Sequence, residues 1–235
     1  TNLSTTKAIS CSGKSDGKLK VSASGGSSPY TYVWKNSSGQ IISQTDTLVN
    51  IGAGIYYAQV TDKDGCKSLT DSIILTNPPI FSTIKSPPIA AKCHNSRDGI
   101  AEIKIAGGSN AGYSFEWQKL NNSTIIGRDS ILVDSAGTYI IRSINSAGCG
   151  VSDTIVISAP SAISYNQVVV QPKCDILGSI TINPSGGTPG YFYKWNLTPA
   201  DTFNSIKNLD NGNYQVTVTD ANKCPAVFSQ MLNPS

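Results

Sequence analysis

Hydrophobic and polar residues alternate along short segments of the chain, and three of these segments are near copies of one another. In the first, Tyr30, Tyr32 and Trp34 fall on one face, and Thr31 and Val33 fall on the other. The matching faces are Tyr113, Phe115 and Trp117, and Tyr191, Tyr193 and Trp195. Alternation with a period of two predicts a half-buried β-strand. No segment combines helical periodicity with capping residues, so the sequence predicts an all-β fold.

Similar alternation surrounds each of these segments. The earlier strands carry Leu19, Val21 and Ala23; Ala101, Ile103 and Ile105; and Ile180, Ile182 and Pro184. The later strands carry Tyr56, Ala58 and Val60; Tyr139, Ile141 and Ser143; and Tyr214, Val216 and Val218. Many short strands separated by Gly, Asp-Gly and Asn turns are typical of β-sandwiches.

One pattern of special residues runs through the chain three times: Cys, Gly-Gly, Trp, Gly-x-Tyr, Cys. Its members are Cys11, Gly25-Gly26, Trp34, Tyr56 and Cys66; Cys93, Gly107-Gly108, Trp117, Tyr139 and Cys149; and Cys174, Gly186-Gly187, Trp195, Tyr214 and Cys224. Repetition at a fixed spacing indicates tandem domains. We predict three repeats at 1–78, 79–160 and 161–235. Both chain ends lie near repeat boundaries, so we expect the array to continue in both directions.

The tryptophans and the Gly-x-Tyr tyrosines match positions of an immunoglobulin-like sandwich. A buried Trp lies on a middle strand of that fold, and a tyrosine before a late strand bonds through its hydroxyl to the backbone. The sequence therefore predicts three tandem immunoglobulin-like sandwiches in an elongated array. The predicted core residues are Trp34, Trp117, Trp195, Tyr56, Tyr139 and Tyr214.

The six cysteines do not occupy the antibody positions. Fifteen pairings are conceivable for six cysteines, and the threefold repetition favours one pair per repeat, because the first and last strands of such sandwiches are neighbours. We predict Cys11–Cys66, Cys93–Cys149 and Cys174–Cys224. Each of these disulfides would close a long loop and stabilise its repeat by about 4 kcal/mol in the chain-entropy model. The alternative is that the cysteines are reduced and buried.

Composition narrows the functional class. Charged residues make up 14% of the chain, and the net charge of +3 forms no basic stripe, which argues against nucleic-acid binding. No apolar run approaches the ~20 residues of a membrane span, and no leader pattern occurs at Thr1. The abundance of small polar residues is typical of a secreted β-rich protein.

Three motifs of the first repeat resemble the SprB repeat of gliding-motility adhesins in Bacteroidota. They are Cys11-Ser12-Gly13-Lys14-Ser15-Asp16-Gly17, the segment from Gly25 to Trp34, and the segment from Gly54 to Cys66. The second and third repeats depart from these motifs in turns. The resemblance implies a very long cell-surface filament protein, exported by the type IX secretion system and moved by the gliding motor. It also implies further repeats, and the secretion and gliding machinery, as partners.

We find no catalytic constellation and expect neither a cofactor nor a metal. His94 is the sole histidine, so we expect neither a Ser-His-Asp triad nor a multi-histidine metal site. Beside Cys93 it could suggest a zinc ligand, but without Cys-x-x-Cys spacing we interpret it as an exposed loop residue next to a disulfide. Asp62 and Asp64 resemble part of a calcium loop. A hairpin turn in which Asp bonds nearby backbone amides also explains them, and we favour it because the other repeats differ at these positions. We therefore expect that the chain is not an enzyme.

Two surface roles remain open. Aromatic faces suggest carbohydrate binding, with Tyr57 and Phe192 as exposed candidates, although packing explains most aromatic positions. An Asp-(Ser/Thr)-apolar pattern resembles the O-glycosylation motif of exported Bacteroidota proteins, and ordinary strand alternation would also produce it. Its candidate acceptors are Thr47, Ser72, Ser130, Ser135 and Thr154.

Two function classes follow. In the first, disulfide-bonded sandwiches act as rigid spacer domains in a surface filament. A variant of this class is an accessory stalk of another type IX-secreted protein. In the second, the repeats bind a surface polysaccharide weakly and gain strength from many copies. Loops differ among the repeats while core positions persist, which favours the spacer. Either role implies an extracellular location.

Overall fold

A computed structural model describes residues 1–108, 112–197 and 201–233. These residues form twenty β-strands in six sheets, with no helix among them. The all-β prediction is confirmed. Within the same described ranges, no helical segment has the length and apolarity needed to cross a membrane.

The first repeat is a sandwich of a three-stranded and a four-stranded sheet, with orders β1-β2-β5 and β4-β3-β6-β7. Paired strands are antiparallel throughout. This is the immunoglobulin-like arrangement that the tryptophan and tyrosine positions predict. Its strands are β1 (Asn2–Lys7), β2 (Gly17–Ser22), β3 (Thr31–Lys35), β4 (Ile41–Ser43), β5 (Thr47–Ile51), β6 (Gly54–Thr61) and β7 (Asp71–Leu75).

The second repeat has the same two sheets, with orders β12-β9-β8 and β11-β10-β13-β14. Its strands are β8 (Phe81–Lys85), β9 (Gly99–Gly107), β10 (Tyr113–Lys119), β11 (Ile125–Gly127), β12 (Ile131–Asp134), β13 (Gly137–Asn145) and β14 (Gly150–Ile157).

The third repeat has two three-stranded sheets among its described residues, with orders β15-β16-β18 and β17-β19-β20. Its strands are β15 (Ser164–Val170), β16 (Gly178–Ser185), β17 (Phe192–Trp195), β18 (Ser205–Leu209), β19 (Gly212–Thr219) and β20 (Pro225–Leu232). No sheet mixes strands from different repeats.

By contact density the chain divides into two compact units. One contains Thr1–Ile84, Lys104–Glu116 and Ile141–Asp153, and the other contains Lys85–Ile103, Trp117–Ile140 and Thr154–Ser235. This division does not follow the predicted repeat boundaries, so the bounds 1–78, 79–160 and 161–235 stay a prediction.

Each sandwich is filled by the alternating apolar faces. The tryptophans at the centres are at most 2% exposed. In the first repeat Trp34 packs with Leu19, Val21, Ala58 and Val60. In the third, Trp195 packs with the corresponding residues Ile180, Ile182, Val216 and Val218. Burial of each large side chain contributes roughly 1.5–3 kcal/mol.

In the first and third repeats, the second glycine of the Gly-Gly pair faces the loop between the two late strands. Gly26 has φ +73°, and a Cβ there would lie 2.6 Å from Asp62 Oδ2. Gly187 has φ +59°, and a Cβ there would lie 2.7 Å from Asp220 Oδ2. Only glycine tolerates both this backbone conformation and this close approach.

Strand direction places the cysteine loops of one repeat at opposite ends of its sandwich. We call the end with the β1–β2 loop the first-cysteine end: Gly17 pairs with Ile51 there, and Gly54 pairs with Leu75. We call the end with the β6–β7 loop the second-cysteine end, where Thr61 bridges to Lys67. The eight residues of β6 separate the two ends by about 26 Å at ~3.3 Å per residue.

Candidate functional site: disulfides between repeats

Two disulfides join neighbouring repeats. Cys11 bonds to Cys149 across a sequence separation of 138 residues, and their Cα atoms are 5.6 Å apart. Cys93 bonds to Cys224 across 131 residues, with Cα atoms 5.7 Å apart. In each case the first cysteine of one repeat pairs with the second cysteine of the next.

The predicted pairs Cys11–Cys66, Cys93–Cys149 and Cys174–Cys224 are therefore wrong. A disulfide needs Cα atoms within about 4.4–6.8 Å, whereas the two cysteine loops of one sandwich are separated by the length of a strand. Neighbouring strands can still carry their loops at opposite ends. Cys66 and Cys174, which the sequence also assigned to disulfides, are free and exposed.

The path of the chain explains why neighbours meet in this way. A repeat leaves its sandwich at the first-cysteine end: the side chain of Asn77, just after β7, accepts the amide N–H of Gly13 at 3.1 Å. The corresponding contact in the second repeat joins the amide N–H of Ala91 to the carbonyl of Ser158 at 2.8 Å. The chain enters each sandwich at the second-cysteine end, where Gly187 N–H donates to Ser161 O. Where one repeat ends and the next begins, the first-cysteine end of the earlier sandwich therefore lies beside the second-cysteine end of the later one.

An aspartate four residues before Cys66 organises the loop of the second cysteine. Asp62 Oδ1 accepts the amide N–H of Asp64 at 3.0 Å and that of Cys66 at 2.8 Å. Its Oδ2 accepts the amide N–H of Ser27 at 3.2 Å. These donors, Cys66 first and then Ser27, hold the pKa of Asp62 below its ordinary value. The geometry is that of a hairpin turn capped by its own Asp side chain.

The same loop recurs at both bonded positions. Asn145 Oδ1 accepts the amide N–H of Cys149 at 2.9 Å, and Asp220 Oδ1 accepts that of Cys224 at 2.8 Å. Asp220 Oδ2 also accepts the amide N–H of Thr188 at 2.8 Å. Burial raises the pKa of Asp220, but the Thr188 and Cys224 donors outweigh it, so the pKa lies below its ordinary value.

A second aspartate organises the loop of the first cysteine in the first two repeats. Asp16 accepts the amide N–H of Ser10 at 3.0 Å and pairs with Lys7 at 3.1 Å. The Ser10 bond, with help from Lys7, holds the pKa of Asp16 well below its usual range. Asp98 accepts the Ser96 hydroxyl and the Lys92 amide N–H, and these bonds lower the pKa of Asp98.

Contacts at the two disulfides are similar. Cys149 Sγ lies 3.1 Å from the carbonyl oxygen of Ser10, and Cys224 Sγ lies 3.5 Å from that of Lys92. At the second disulfide Asn222 Nδ2 also donates to Lys92 O at 3.0 Å. At both disulfides the loop of a first cysteine meets the loop of the second cysteine of the next repeat. We call this pair of loops with its disulfide a junction.

A groove opens beside each disulfide. The groove at Cys11–Cys149 has a volume of about 750 Å³ and is lined by the Ala8–Ser12 segment, Pro78–Phe81 and Asn145–Val151. The groove at Cys93–Cys224 has a volume of about 460 Å³ and includes Ser161, Gly187 and Asp220. Neither contains a cluster of metal-ligating side chains among the described residues. The arrangement can link domains covalently.

The tryptophans of the central strands have satisfied indole groups. Trp34 Nε1 donates to Thr45 O at 3.0 Å, and Trp195 Nε1 donates to Phe203 O at 2.9 Å. Trp117 Nε1 donates to the carbonyl oxygen of Asp129 at 2.7 Å.

The Gly-x-Tyr tyrosines bond to a carbonyl four residues upstream. Tyr56 donates to Gly52 O at 2.9 Å and Tyr214 to Asp210 O at 3.0 Å. Tyr139, which is fully buried, donates to the carbonyl oxygen of Ser135 at 2.6 Å. This is the hydroxyl-to-backbone bond of a tyrosine corner.

The hydrogen bonds of Asp62 fit the hairpin-turn interpretation of Asp62 and Asp64. Both of its carboxylate oxygens accept backbone amides, and calcium binding at this loop stays untested. His94 is exposed in the loop after Cys93, and Phe192 is 69% exposed, whereas Tyr57 is partly buried.

The Asp-(Ser/Thr) pattern makes local hydrogen bonds, whatever its modification state. The Asp side chain accepts the following residue's amide N–H at Ser72, Ser130 and Ser135, and the hydroxyl at Thr47. Ser72 and Thr154 are exposed, and the other three acceptors are partly buried. Glycosylation at these positions stays a prediction.

Comparison with known families bears on the repeats. The sequence model of the SprB repeat matches residues 3–39 and 166–197. Two segments of the chain therefore match the SprB repeat. Each matched segment spans the first cysteine, the Gly-Gly pair and the tryptophan of its repeat. It therefore includes the loop of the first cysteine, which is one of the two loops that meet at a cross-repeat disulfide. The second repeat lies outside the matched segments but has nearly the same spacing of cysteines, glycines and tryptophan.

Several solved structures are similar to this chain. They include the three N-terminal domains of the bacteriophage RB49 highly immunogenic outer capsid protein (13% identity, TM-score 0.49, covering 100% of this chain and 98% of that one). Others are extracellular domains 3–5 of Drosophila OTK (14%, 0.30, covering 94% and 90%) and the eight N-terminal Ig domains of Down syndrome cell adhesion molecule isoform 1.30.30 (16%, 0.40, covering 87% and 32%). No curated protein matches the sequence.

Proposed function

We propose that this chain is a spacer segment that carries tension in an exported, adhesin-like cell-surface protein. The observation that carries the proposal is that both disulfides cross from one repeat to the next. Disulfides persist in oxidising compartments outside the cytosol, which supports an extracellular location. The SprB repeats support a surface adhesin.

Cross-repeat disulfides change how the chain carries tension. Without them, tension would pass through all 235 residues. With them, the shortest covalent path has about 80 residues: Thr1 to Cys11, Cys149 back to Cys93, and Cys224 to Ser235. Residues 12–92 and 150–223 lie outside this path. Unfolding of the first or third repeat therefore lengthens the tether little.

The remaining parts of the proposal rest on the SprB resemblance. We propose that the parent protein is exported by the type IX secretion system and that further repeats and the gliding machinery are its partners. The spacer role requires no catalytic group, so the proposed segment is not an enzyme.

Single-molecule pulling from residues 1 and 235 tests the spacer role. Because a residue extends by at most ~3.5 Å, the oxidised chain should reach about 28 nm and the reduced chain about 80 nm. Loss of one cross-repeat disulfide in Cys11→Ser should lengthen the oxidised chain by roughly 9 nm. Cys66→Ser is the matched control and should change nothing.

Equal extension of the oxidised and reduced chains would refute covalent load sharing. An increase in Cys66→Ser equal to that in Cys11→Ser would show that the two cysteines pair with each other, and would also refute the proposal.

A further inference from the structure

The loop of Cys66 is built like the two loops that carry disulfides. In all three, the amide N–H of the Asp or Asn donates to the carbonyl of the cysteine, at 3.0 Å for Cys66, 2.9 Å for Cys149 and 3.1 Å for Cys224. The residue before the cysteine has positive φ in each loop, at Gly65, Gly148 and Lys223. The side-chain bond to the cysteine amide is 2.8–2.9 Å in each. Cys66 is thus presented in the bonded geometry without a partner cysteine.

The surface beside Cys66 is an open half of a junction. A depression of about 200 Å³ there is lined by Gly26, Asp62 and Cys66. The corresponding Gly187, Asp220 and Cys224 line the groove at the second disulfide, where the loop of Cys93 forms the opposite wall. Among the described residues, no loop takes the place of Cys93 beside Cys66.

Cys174 supplies the complementary half. It lies in the loop between β15 and β16, which corresponds to the loops of Cys11 and Cys93, and it is exposed. The chain leaves the third sandwich beside this loop, because the side chain of Gln171 accepts the amide N–H of Asn233 at 2.9 Å. This loop differs in detail, since three residues lie between Cys174 and Gly178, whereas five lie between Cys11 and Gly17.

We propose that Cys66 and Cys174 are the two halves of a further junction, through which copies of this chain join head to tail. The partner of Cys66 is the first cysteine of another repeat of this type, and in the isolated protein it is Cys174 of a second copy. The proposal goes beyond the spacer role and depends only on the junction geometry.

The bond forms by thiol–disulfide exchange with oxidised glutathione. The Cys174 thiolate attacks the glutathione disulfide and releases one reduced glutathione. The Cys66 thiolate of a second copy then attacks Cys174 Sγ in the mixed disulfide. The second glutathione leaves as thiolate, so two thiols are oxidised and one disulfide is reduced.

Two single-cysteine variants give the sharpest test. Cys66→Ser retains only the free thiol of Cys174, and Cys174→Ser retains only that of Cys66. Each is incubated alone, and the two are incubated together in equal amounts, with oxidised and reduced glutathione. Products are separated without reduction, and their disulfides are mapped by mass spectrometry.

We expect the mixture to form a dimer that stops at two chains and contains a Cys66–Cys174 bond. Each variant alone should remain monomeric. The unsubstituted chain should form a ladder with at least ten times more Cys66–Cys174 bonds than like-with-like bonds. Random oxidation would give only about half of the bonds as the mixed pair.

Two results would overturn the proposal: a mixture that stays monomeric, or a variant that dimerises alone as readily as in the mixture. Intact Cys11–Cys149 and Cys93–Cys224 peptides establish that the variants are folded. The pulling experiment on the monomer is independent of this outcome, so failure of head-to-tail joining leaves the spacer proposal separately testable.

Discussion

Removal of the Cys11–Cys149 disulfide should destabilise the first repeat. The variant is Cys11→Ser with Cys149→Ser, which leaves no unpaired thiol at the junction. The disulfide closes 138 residues, so the chain-entropy model gives about 5 kcal/mol, and measured losses of native disulfides run from about 2 to 5 kcal/mol. We expect the first repeat to lose stability in that range.

Amide hydrogen exchange followed by mass spectrometry is the suitable assay. A three-domain chain does not unfold in a single step, whereas exchange reports an opening free energy for each strand. The peptide covering β2 contains the buried Leu19 and Val21 and reports on the first repeat. Its opening free energy should fall by about 2–5 kcal/mol in the double variant.

Cys66→Ser is the matched control. Cys66 is exposed and unpaired, so its substitution should stay within about 0.5 kcal/mol of the parent. If Cys66 were bonded to Cys11, the same substitution would cost about 4 kcal/mol. A large effect of Cys66→Ser in β2, with no effect of Cys149→Ser there, would refute the cross-repeat pairing.

Three further predictions concern the sandwiches. Because the pKa of Asp62 is lowered in the folded protein, its carboxylate stabilises the fold above pH ~4, and this stabilisation is lost as pH falls through the lowered pKa. Asp62→Asn should therefore flatten the acid side of a curve of Tm against pH. An unchanged curve would contradict this. Tyr139→Phe removes the bond to Ser135 O and should cost about 0.5–1.5 kcal/mol in urea unfolding, whereas Tyr57→Phe should be near neutral. Ser143 is fully buried, and its hydroxyl has no hydrogen-bond partner among the described residues. Ser143→Val introduces the residue that the other two repeats have at this position and should raise the free energy of unfolding by about 1 kcal/mol. A loss of stability larger than that of Ser143→Ala would indicate overpacking instead.

Alternation predicted the strands because burial on one face of a sheet leaves a direct trace in the sequence. The rows that include Trp34 and Trp195 are the buried rows of their sandwiches. The buried Ser143 follows the same alternation despite its polar side chain. The sequence could not show that its hydroxyl lacks a partner, because that depends on which neighbours surround it.

The predicted disulfide pairing fails because neighbouring first and last strands do not place the two cysteine loops of a repeat side by side. Five strands, β2 to β6, separate Cys11 from Cys66. Each reverses the direction of the one before, so an odd number places the two loops at opposite ends. The number of strands between the two cysteines can be counted from the alternation in the sequence. The sequence also contained the Asp or Asn four residues before each second cysteine, at Asp62, Asn145 and Asp220, which marks the loop that presents the thiol.

Disulfide mapping of the unreduced protein tests the central claim most directly. Trypsin cuts after Lys and Arg, and these residues place each of the six cysteines in its own peptide. The account predicts linked peptides that join Cys11 to Cys149 and Cys93 to Cys224, with Cys66 and Cys174 open to alkylation before reduction. Linked peptides joining Cys11 to Cys66 and Cys93 to Cys149 would contradict it.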